Sequence, residues 1–236
     1  MNTTHSKFAI LFTGRSGSSY LTSMLDSHPN IICEGEMLAQ IVHVGEPPEK
    51  QLAWSRQFYD SARPQDIRSV GYKTKLSDVV DPGGFRRLLD DLGVRLIHLI
   101  RRNLVKQVIS ALNAERLHQK TGQWNIQDEG ERLGPFSVDE KTFDSLLKNR
   151  MAGEKKLAES IAEIGRSAKQ VVYEDLLRKP DETLQDLYDF LDVPSRPVVS
   201  QFRKHTPDDL RAVVTNFDEL KQRYAGTRFA AMFDEV

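Results

Sequence analysis

Short apolar runs alternate with longer amphipathic segments along most of the chain. Runs of this kind predict β-strands at residues 8–12, 70–74, 94–100 and 170–173, with a possible shorter strand at 30–33. The amphipathic segments predict helices near residues 18–27, 51–62, 82–92, 103–119, 139–165, 180–191 and 207–222. This alternation is typical of an α/β protein with three layers, in which helices flank a central, mainly parallel sheet.

The carboxyl ends of the predicted strands carry most of the candidate chemistry. In sheets of this type, ligands bind beyond those ends, and the polar segments 13–19, 73–75 and 101–103 lie there. A later segment, 120–135, is polar, contains glycine and has weak periodicity. It predicts a long loop or a lid over the site rather than a domain boundary. We therefore expect a single domain over residues 1–236.

The composition excludes some partners. Of the 236 residues, 33 are basic and 34 acidic, which gives a net charge of −1. A chain with this balance has no overall positive charge that would attract nucleic acid or an anionic membrane. The single cysteine, Cys33, cannot form an internal disulfide, and its apolar neighbours indicate a buried strand residue rather than a nucleophile. The sequence shows neither a secretory signal nor an apolar run of membrane-spanning length. We expect a cytoplasmic protein without stable membrane insertion and without nucleic acid as a partner.

The first predicted strand leads into a turn that is suited to an anion. Residues 13–19 contain Gly14 and Gly17 together with Arg15 and three serines, and a predicted helix follows. Such a turn presents consecutive backbone N–H groups at the positive end of a helix, a geometry that binds phosphate or sulfate. The alternative is an ordinary turn that caps the helix, since serine is a common N-cap residue.

The spacing of the two glycines separates this turn from two common nucleotide loops. The phosphate loop of ATP- and GTP-using enzymes has lysine directly after its second glycine, and Ser18 stands there in this chain. The dinucleotide fingerprint G-x-G-x-x-G is absent as well. The turn therefore indicates an anion site of another type.

A second candidate anion site follows the strand predicted at 94–100. Arg101, Arg102 and Asn103 come directly after that strand, and Ser110 lies further along the next predicted helix. An arginine at a strand end and a serine about two turns into a helix can hold a phosphate from two sides. Taken alone, Arg102 is equally well a surface residue, and Ser110 an incidental helix serine.

These motifs resemble those of the sulfotransferases that use 3′-phosphoadenosine 5′-phosphosulfate (PAPS). The run Arg15-Ser16-Gly17-Ser18-Ser19-Tyr20 matches the family's 5′-phosphosulfate loop, with arginine in place of the commoner lysine. Arg102-Asn103 with Ser110 matches its 3′-phosphate motif in residues and in spacing. A third element, V-x-Y-E-D-L followed by F-L-D-V-P, occurs at 171–176 and 190–194.

The resemblance covers about residues 8–233. It implies a P-loop-like sulfotransferase fold, PAPS as the sulfuryl donor, adenosine 3′,5′-bisphosphate (PAP) as a product, and no metal. Arg15 would neutralise the departing phosphate, while Arg102 and Ser110 would hold the 3′-phosphate. The implied donor-binding residues are Arg15, Ser16, Gly17, Ser18, Ser19, Tyr20, Arg102, Ser110, Tyr173 and Lys204. The two tyrosines of this set, which would contact the adenine, are also compatible with packing in the core.

The catalytic base is where the chain departs from much of the family. Cytosolic sulfotransferases use a histidine in K-T-H-L, whereas this chain has Lys73-Thr74-Lys75-Leu76. A lysine acts as a base only with a strongly lowered pKa. Other members use a glutamate shortly after the first helix, where this chain has Glu34 and Glu36. We favour Glu36 as the base, with Lys73 close to the transferring sulfuryl group, although both glutamates are compatible with a solvated loop.

The leading hypothesis is sulfuryl transfer to a hydroxyl group of a small molecule, a lipid or a carbohydrate. Two alternatives remain open: a kinase-like phosphotransferase with a degenerate phosphate loop, and a nucleotide-binding module without catalysis. Aromatic residues near the expected acceptor pocket are compatible either with its walls or with the core. They are Trp54, Phe58, Tyr59 and Trp124.

Overall fold

The structure, a computed structural model, describes residues 5–126, 129–166, 168–199, 206–207 and 209–235. In that part of the chain the strands are β1 (Ser6–Phe12), β2 (Ile31–Glu34), β3 (Ser69–Thr74), β4 (Arg95–Ile100) and β5 (Ala168–Val172). They form one sheet in the order β2-β3-β1-β4-β5, and every neighbouring pair is parallel. The predicted α/β fold with a parallel central sheet is confirmed.

Helices connect the strands. They are α1 (Ser18–Asp26), α2 (Met37–His43), α3 (Glu49–Asp60), α4 (Pro82–Asp91), α5 (Leu104–Thr121), α6 (Glu140–Ile164), α7 (Tyr173–Arg178), α8 (Pro180–Leu191) and α9 (Phe217–Arg223). Short 3₁₀ turns occur at Leu76–Asp78, Glu129–Glu131, Leu210–Ala212 and Ala230–Phe233. The short helices α2 and α7 were not predicted, because each is less than two full turns long and shows little periodicity.

The helix predicted at 207–222 is wrong over most of its length. Where the structure describes this segment, it has a 3₁₀ turn at Leu210–Ala212 and only the short helix α9. Val214 instead pairs with Phe136 in an isolated parallel bridge, in which the Phe136 N–H donates to the carbonyl of Val213 at 2.9 Å. The β-branched residues of this stretch favour extended backbone, which explains the break.

β1 is the central strand, and its side chains enter two separate apolar layers. Phe8, Ile10 and Phe12 pack with α1, α7 and α8 on one side. Ala9 and Leu11 pack with α2, α3, α4 and the end of α6 on the other. Alternate residues of a strand point to opposite faces of the sheet. A strand that is covered on both faces therefore needs apolar residues at every position. This burial holds the carboxyl end of β1 in a fixed place.

The described residues form two compact units. The first lies within Met1–Ile100 and Lys156–Phe202 and contains the sheet; the second lies within Arg101–Lys155 and Arg203–Val236. The second unit has its own apolar core, which includes Val105, Phe143 and Phe217. The single domain expected from the sequence stays a prediction.

No helix in the described part of the chain is long and apolar enough to cross a membrane. No group of three or more His, Cys, Asp or Glu side chains there is arranged to hold a metal ion.

Candidate active site

The turn between β1 and α1 has a backbone shape suited to an anion. Arg15 and Gly17 both have positive φ, at 65° and 88°, and Gly17 is the N-cap of α1. Among the described residues no side chain caps this end of the helix, and its first turn carries no acidic residue. The N–H groups at the positive end of the helix are thus left for a ligand, which is the usual arrangement of a phosphate site.

Gly17 is also a point of close packing. A Cβ atom at this position would lie 2.1 Å from a ring carbon of Tyr173, so the aromatic ring rests directly on the glycine backbone. Tyr173 is buried, and its ring meets that of Tyr20 edge-on, with centroids 6.4 Å apart. The structure therefore gives both tyrosines a packing role beside the loop, and their contact with adenine stays a prediction.

The serines of the loop differ in accessibility. Ser16 is fully buried, and its hydroxyl has no hydrogen-bond partner among the described residues. A ligand at the loop would therefore meet the backbone of Ser16 rather than its hydroxyl. Ser18 is buried at the start of α1, whereas Ser19 is partly exposed and its hydroxyl accepts a hydrogen bond from Lys73.

Lys73 lies at the carboxyl end of β3 and reaches back to this loop. Its Nζ donates to Ser19 Oγ at 2.8 Å and to Ser18 Oγ at 3.4 Å. It also lies 5.7 Å from the centroid of the Phe12 ring, within the range of a cation–π contact. Because β3 is paired in parallel with β1, the ends of the two strands are neighbours. Within the first unit, Lys73 therefore lies beside the loop, as predicted.

Glu36 is the acidic residue that approaches Lys73. It follows β2 and is the N-cap residue of α2. Its Oε1 lies 3.4 Å from Lys73 Nζ, and its Oε2 lies 2.9 Å from Lys75 Nζ. Glu34, at the end of β2, is exposed instead. Of the two glutamates considered from the sequence, Glu36 is the one that the structure places beside the loop lysine.

The charges of this cluster shift one another's pKa values. Burial opposes ionisation of Glu36, but Lys73 and Lys75 outweigh it and hold the pKa of the carboxyl below its usual value. Burial lowers the pKa of Lys73 in spite of the nearby carboxylate. Lys75 is less buried, and two carboxylates outweigh its burial and raise its pKa. A lysine with a raised pKa stays charged, so Lys75 is not suited to replace the missing histidine as base.

Two parts of this cluster were missed by the sequence analysis. Asp78 Oδ2 lies 3.1 Å from Lys75 Nζ, and the buried side chain of Gln51 bonds to the backbone around Asp78. The i, i+3 spacing of Lys75 and Asp78 was a visible signal for the first contact. Gln51 gave no signal, because its partners are backbone groups distant in sequence.

The residues of the second motif lie in the second unit. Arg102 is exposed directly after β4, and Ser110 is buried on α5. Asn103 caps α5, since its Oδ1 accepts from the Lys106 N–H at 2.8 Å, and its Nδ2 donates to the carbonyl of Met232 at 2.8 Å. The asparagine of this motif thus has a structural role. Lys204 lies outside the described residues.

Several other residues prove to be structural. Cys33 is buried in β2, as predicted, and burial raises the pKa of its thiol to about 12. Phe58 and Tyr59 are buried in the core, and the Tyr59 hydroxyl donates to the carbonyl of Phe8 at 2.7 Å. The structure therefore gives these two rings a packing role in the core, and their part in an acceptor pocket stays a prediction. Trp124 is half exposed and stacks on His118 at a centroid distance of 4.2 Å.

Comparison with known proteins gives relatives along most of the chain. No protein-family model matches. Nodulation protein H of Rhizobium meliloti is 26% identical over 96% of this chain and 94% of its own length. Nodulation protein H of Rhizobium tropici is 27% identical over 96% of this chain and 92% of its own length.

Solved structures give the fold. A sulfotransferase from Alicyclobacillus acidocaldarius superposes with a TM-score of 0.56 at 18% identity, covering 98% of this chain and 97% of that one. A mouse sulfotransferase complexed with PAP superposes with a TM-score of 0.52 at 10% identity, covering 97% of this chain and 88% of that one. The motifs agree with these comparisons, and the two solved structures show that the chain has the fold of the sulfotransferases.

Proposed function

We propose that this enzyme transfers the sulfuryl group of PAPS to a hydroxyl group of its acceptor. One observation carries the proposal: the Lys73 ammonium contacts both the hydroxyl of Ser19 in the loop and the carboxylate of Glu36. A donor phosphate at the loop and an acceptor hydroxyl at Glu36 would then lie on either side of one cation. The mouse sulfotransferase of similar fold that was solved with PAP supports the choice of donor.

The loop is suited to the 5′ end of the donor. The N-terminus of α1, which no side chain of the described residues caps, offers backbone N–H groups, and Arg15 and Lys73 add positive charge. We assign the 5′-phosphosulfate to residues 15–19, with Tyr20 and Tyr173 beside the adenine. The motif spacing of Arg102 and Ser110 supports their assignment to the 3′-phosphate, with Lys204 as a further contact.

The proposed reaction is an in-line displacement at sulfur. Glu36 accepts the proton of the acceptor hydroxyl, whose oxygen forms a new bond to sulfur. The bond between sulfur and the bridging phosphate oxygen breaks, and its electron pair leaves with PAP. Arg15 and Lys73 stabilise the charge that develops on the departing phosphate and on the sulfuryl oxygens. This chemistry needs a base and fixed cations, and the proposed mechanism uses no metal.

The remaining assignments rest on sequence. We place the enzyme in the cytoplasm, as a single domain in which residues 120–135 act as a lid over the acceptor. The acceptor is a small molecule, a lipid or a carbohydrate that carries a free hydroxyl group.

The activity is tested with PAPS labelled in its sulfuryl group and a panel of sugars, phenols and long-chain alcohols. We expect the label to pass to at least one class of acceptor, with one PAP formed for each transfer. A protein that binds PAP but transfers nothing to any acceptor would be the non-catalytic binding module. Transfer of the terminal phosphate of ATP to the same acceptors would favour the kinase-like alternative.

A further inference from the structure

The two oxygens of the Glu36 carboxylate are held by two different lysines. Oε1 lies 3.4 Å from Lys73 Nζ, and Oε2 lies 2.9 Å from Lys75 Nζ. Lys73 also bonds to the hydroxyl of Ser19, so it serves the loop as well as the carboxylate. Lys75 makes the shorter contact with Glu36. The orientation of the carboxylate therefore depends strongly on Lys75.

Lys75 is itself fixed by a second carboxylate. Its Nζ lies 3.1 Å from Asp78 Oδ2, three residues further along the chain. The backbone supports this pair, because the Asp78 N–H donates to the carbonyl of Lys75 at 3.0 Å as the 3₁₀ turn Leu76–Asp78 begins. A lysine side chain has many rotamers in solution, and holding it from two sides removes most of that freedom.

A buried amide ties this turn to the helix that begins at Glu36. Gln51 is 2% exposed, and its Nε2 donates to the carbonyl of Leu38 at 2.8 Å and to that of Asp78 at 2.6 Å. Its Oε1 accepts from the Val80 N–H at 2.9 Å. Leu38 lies two residues after Glu36 in α2. One side chain thus fixes the distance between the backbone that carries Glu36 and the backbone that carries Lys75.

The charged surroundings of Glu36 are few among the described residues. Lys73 and Lys75 face it directly, and Asp78 faces it through Lys75. The Cys33 thiol lies close to Lys73, but burial raises its pKa to about 12, so it is neutral at physiological pH. Loss of the Lys75 charge would remove one of the two ammonium groups that face Glu36 and would take an ion-pair partner from Asp78.

We propose that Lys75, braced by Asp78, is a positioning residue that holds the Glu36 carboxylate oriented and ionised beside Lys73. The inference rests on the proposed role of Glu36 as the base for sulfuryl transfer. In the resembling cytosolic enzymes the same position of the motif carries the histidine base. In this chain it carries a residue that acts through a carboxylate.

The first test compares the pH dependence of kcat/KM in three variants and the wild type. Lys75→Met keeps an unbranched side chain that is one atom shorter and removes its charge. We therefore expect the acid limb of the profile to move to higher pH. We also expect kcat at the optimum to fall about tenfold to a hundredfold, because the base loses its fixed orientation. Lys75→Arg keeps the positive charge, so the acid limb of its profile should lie at the same pH as in the wild type. Lys7→Met is the matched control, since Lys7 also forms a 2.9 Å ion pair, with Asp60. It is the second residue of β1 and lies far from the carboxyl end of that strand.

The second test does not need activity. The carboxyl carbon of Glu36 is titrated by ¹³C nuclear magnetic resonance, with Glu36→Gln to assign the signal. We expect the pKa of Glu36 to rise in Lys75→Met and to stay low in Lys75→Arg. An unchanged pKa in Lys75→Met, or arginine and methionine variants that behave alike, would overturn the proposal. If Lys75→Met does not fold, Lys75→Gln replaces it. A wild-type protein without any transfer would contradict the proposed function instead, and the titration would still decide the role of Lys75.

Discussion

A carboxylate that leaves water loses hydration worth several kcal/mol, and Glu36 exposes only 30% of its side chain. The two lysines around it compensate for that loss and keep it charged. Each lysine has a second attachment, Lys73 to Ser19 and Lys75 to Asp78. At the scale of single residues the site is therefore a chain of alternating charges that begins at the loop.

Replacement of Glu36 by glutamine tests its role as base. Glu36→Gln keeps the shape of the side chain but cannot accept the proton, so we expect transfer to fall about 10²–10⁴-fold. The affinity for PAP should stay nearly unchanged. Glu34→Gln is the control, because Glu34 is an exposed carboxylate two positions earlier. A Glu36→Gln enzyme with wild-type turnover would remove Glu36 from the mechanism.

The lowered pKa of Glu36 also sets the pH range of the reaction. The base must be ionised, so activity is present above the pKa of Glu36 in the folded enzyme and is lost as the pH falls through it. We expect kcat/KM to be constant from neutral pH down to about pH 5, because the pKa lies below that of an ordinary glutamate. The measurement is a profile of initial rates against pH. A loss of activity that begins close to neutral pH would contradict a lowered pKa for Glu36.

At the scale of elements, parallel strands bring the site together. The loop follows β1, Lys73 and Lys75 stand at the end of β3, and Glu36 follows β2; all three strands run in the same direction. Their carboxyl ends therefore share one edge of the sheet. The loop adds the N-terminus of α1 at that edge, and the ring of Tyr173 fixes the glycine where the helix begins.

Gly17→Ala tests this packing. Alanine at φ 88° is strained, and its Cβ would lie 2.1 Å from the Tyr173 ring, so we expect a loss of about 2–4 kcal/mol in the free energy of unfolding. The binding of PAP should weaken as well, because the loop must move. Urea denaturation and calorimetry measure the two effects.

Gly93→Ala is the matched control for that variant. Gly93 has a φ of 65°, and a Cβ there would have no atom within 4 Å, so it tests strain without the clash. We expect a loss of only about 1 kcal/mol. Equal losses in the two variants would show that contact with Tyr173 does not matter.

Much of this arrangement could be predicted from the sequence. The strands are short apolar runs that can be recognised in the sequence. Each of the three site elements stands at the end of such a run, namely the loop, Lys73 and Glu36. The sequence therefore placed them at one edge of the sheet. The pairing of Lys75 with Glu36 could not be predicted, because it depends on the direction of two side chains from separate strands. Gln51 was missed for the same reason, since the groups it holds come from two other segments.

At the scale of the whole molecule, the described residues divide into two compact units. The loop and the Glu36 cluster belong to the first unit, and Arg102 and Ser110 belong to the second. Each unit has its own apolar core. The 3′-phosphate assignment therefore rests on the spacing of the motif, and it needs its own test.

Arg102→Ala provides that test. If the guanidinium holds the 3′-phosphate, its removal should weaken PAP binding by about 2–4 kcal/mol, the scale for loss of one partner of a desolvated charge pair. Arg86→Ala, on the exposed face of α4, serves as the control. A change below about 0.5 kcal/mol, typical of exposed ion pairs, would show that Arg102 does not contact the phosphate.

Calorimetric titration with PAP and with ATP tests the central claim, the use of a PAPS-type donor, most directly. The loop has no lysine after Gly17 for a terminal phosphate, and the proposed chemistry needs no metal. We predict that PAP binds without added magnesium. ATP should bind at least about a hundredfold more weakly, because it lacks the 3′-phosphate and loses that charged contact. Tight binding of ATP that requires magnesium, with weak binding of PAP, would contradict the account.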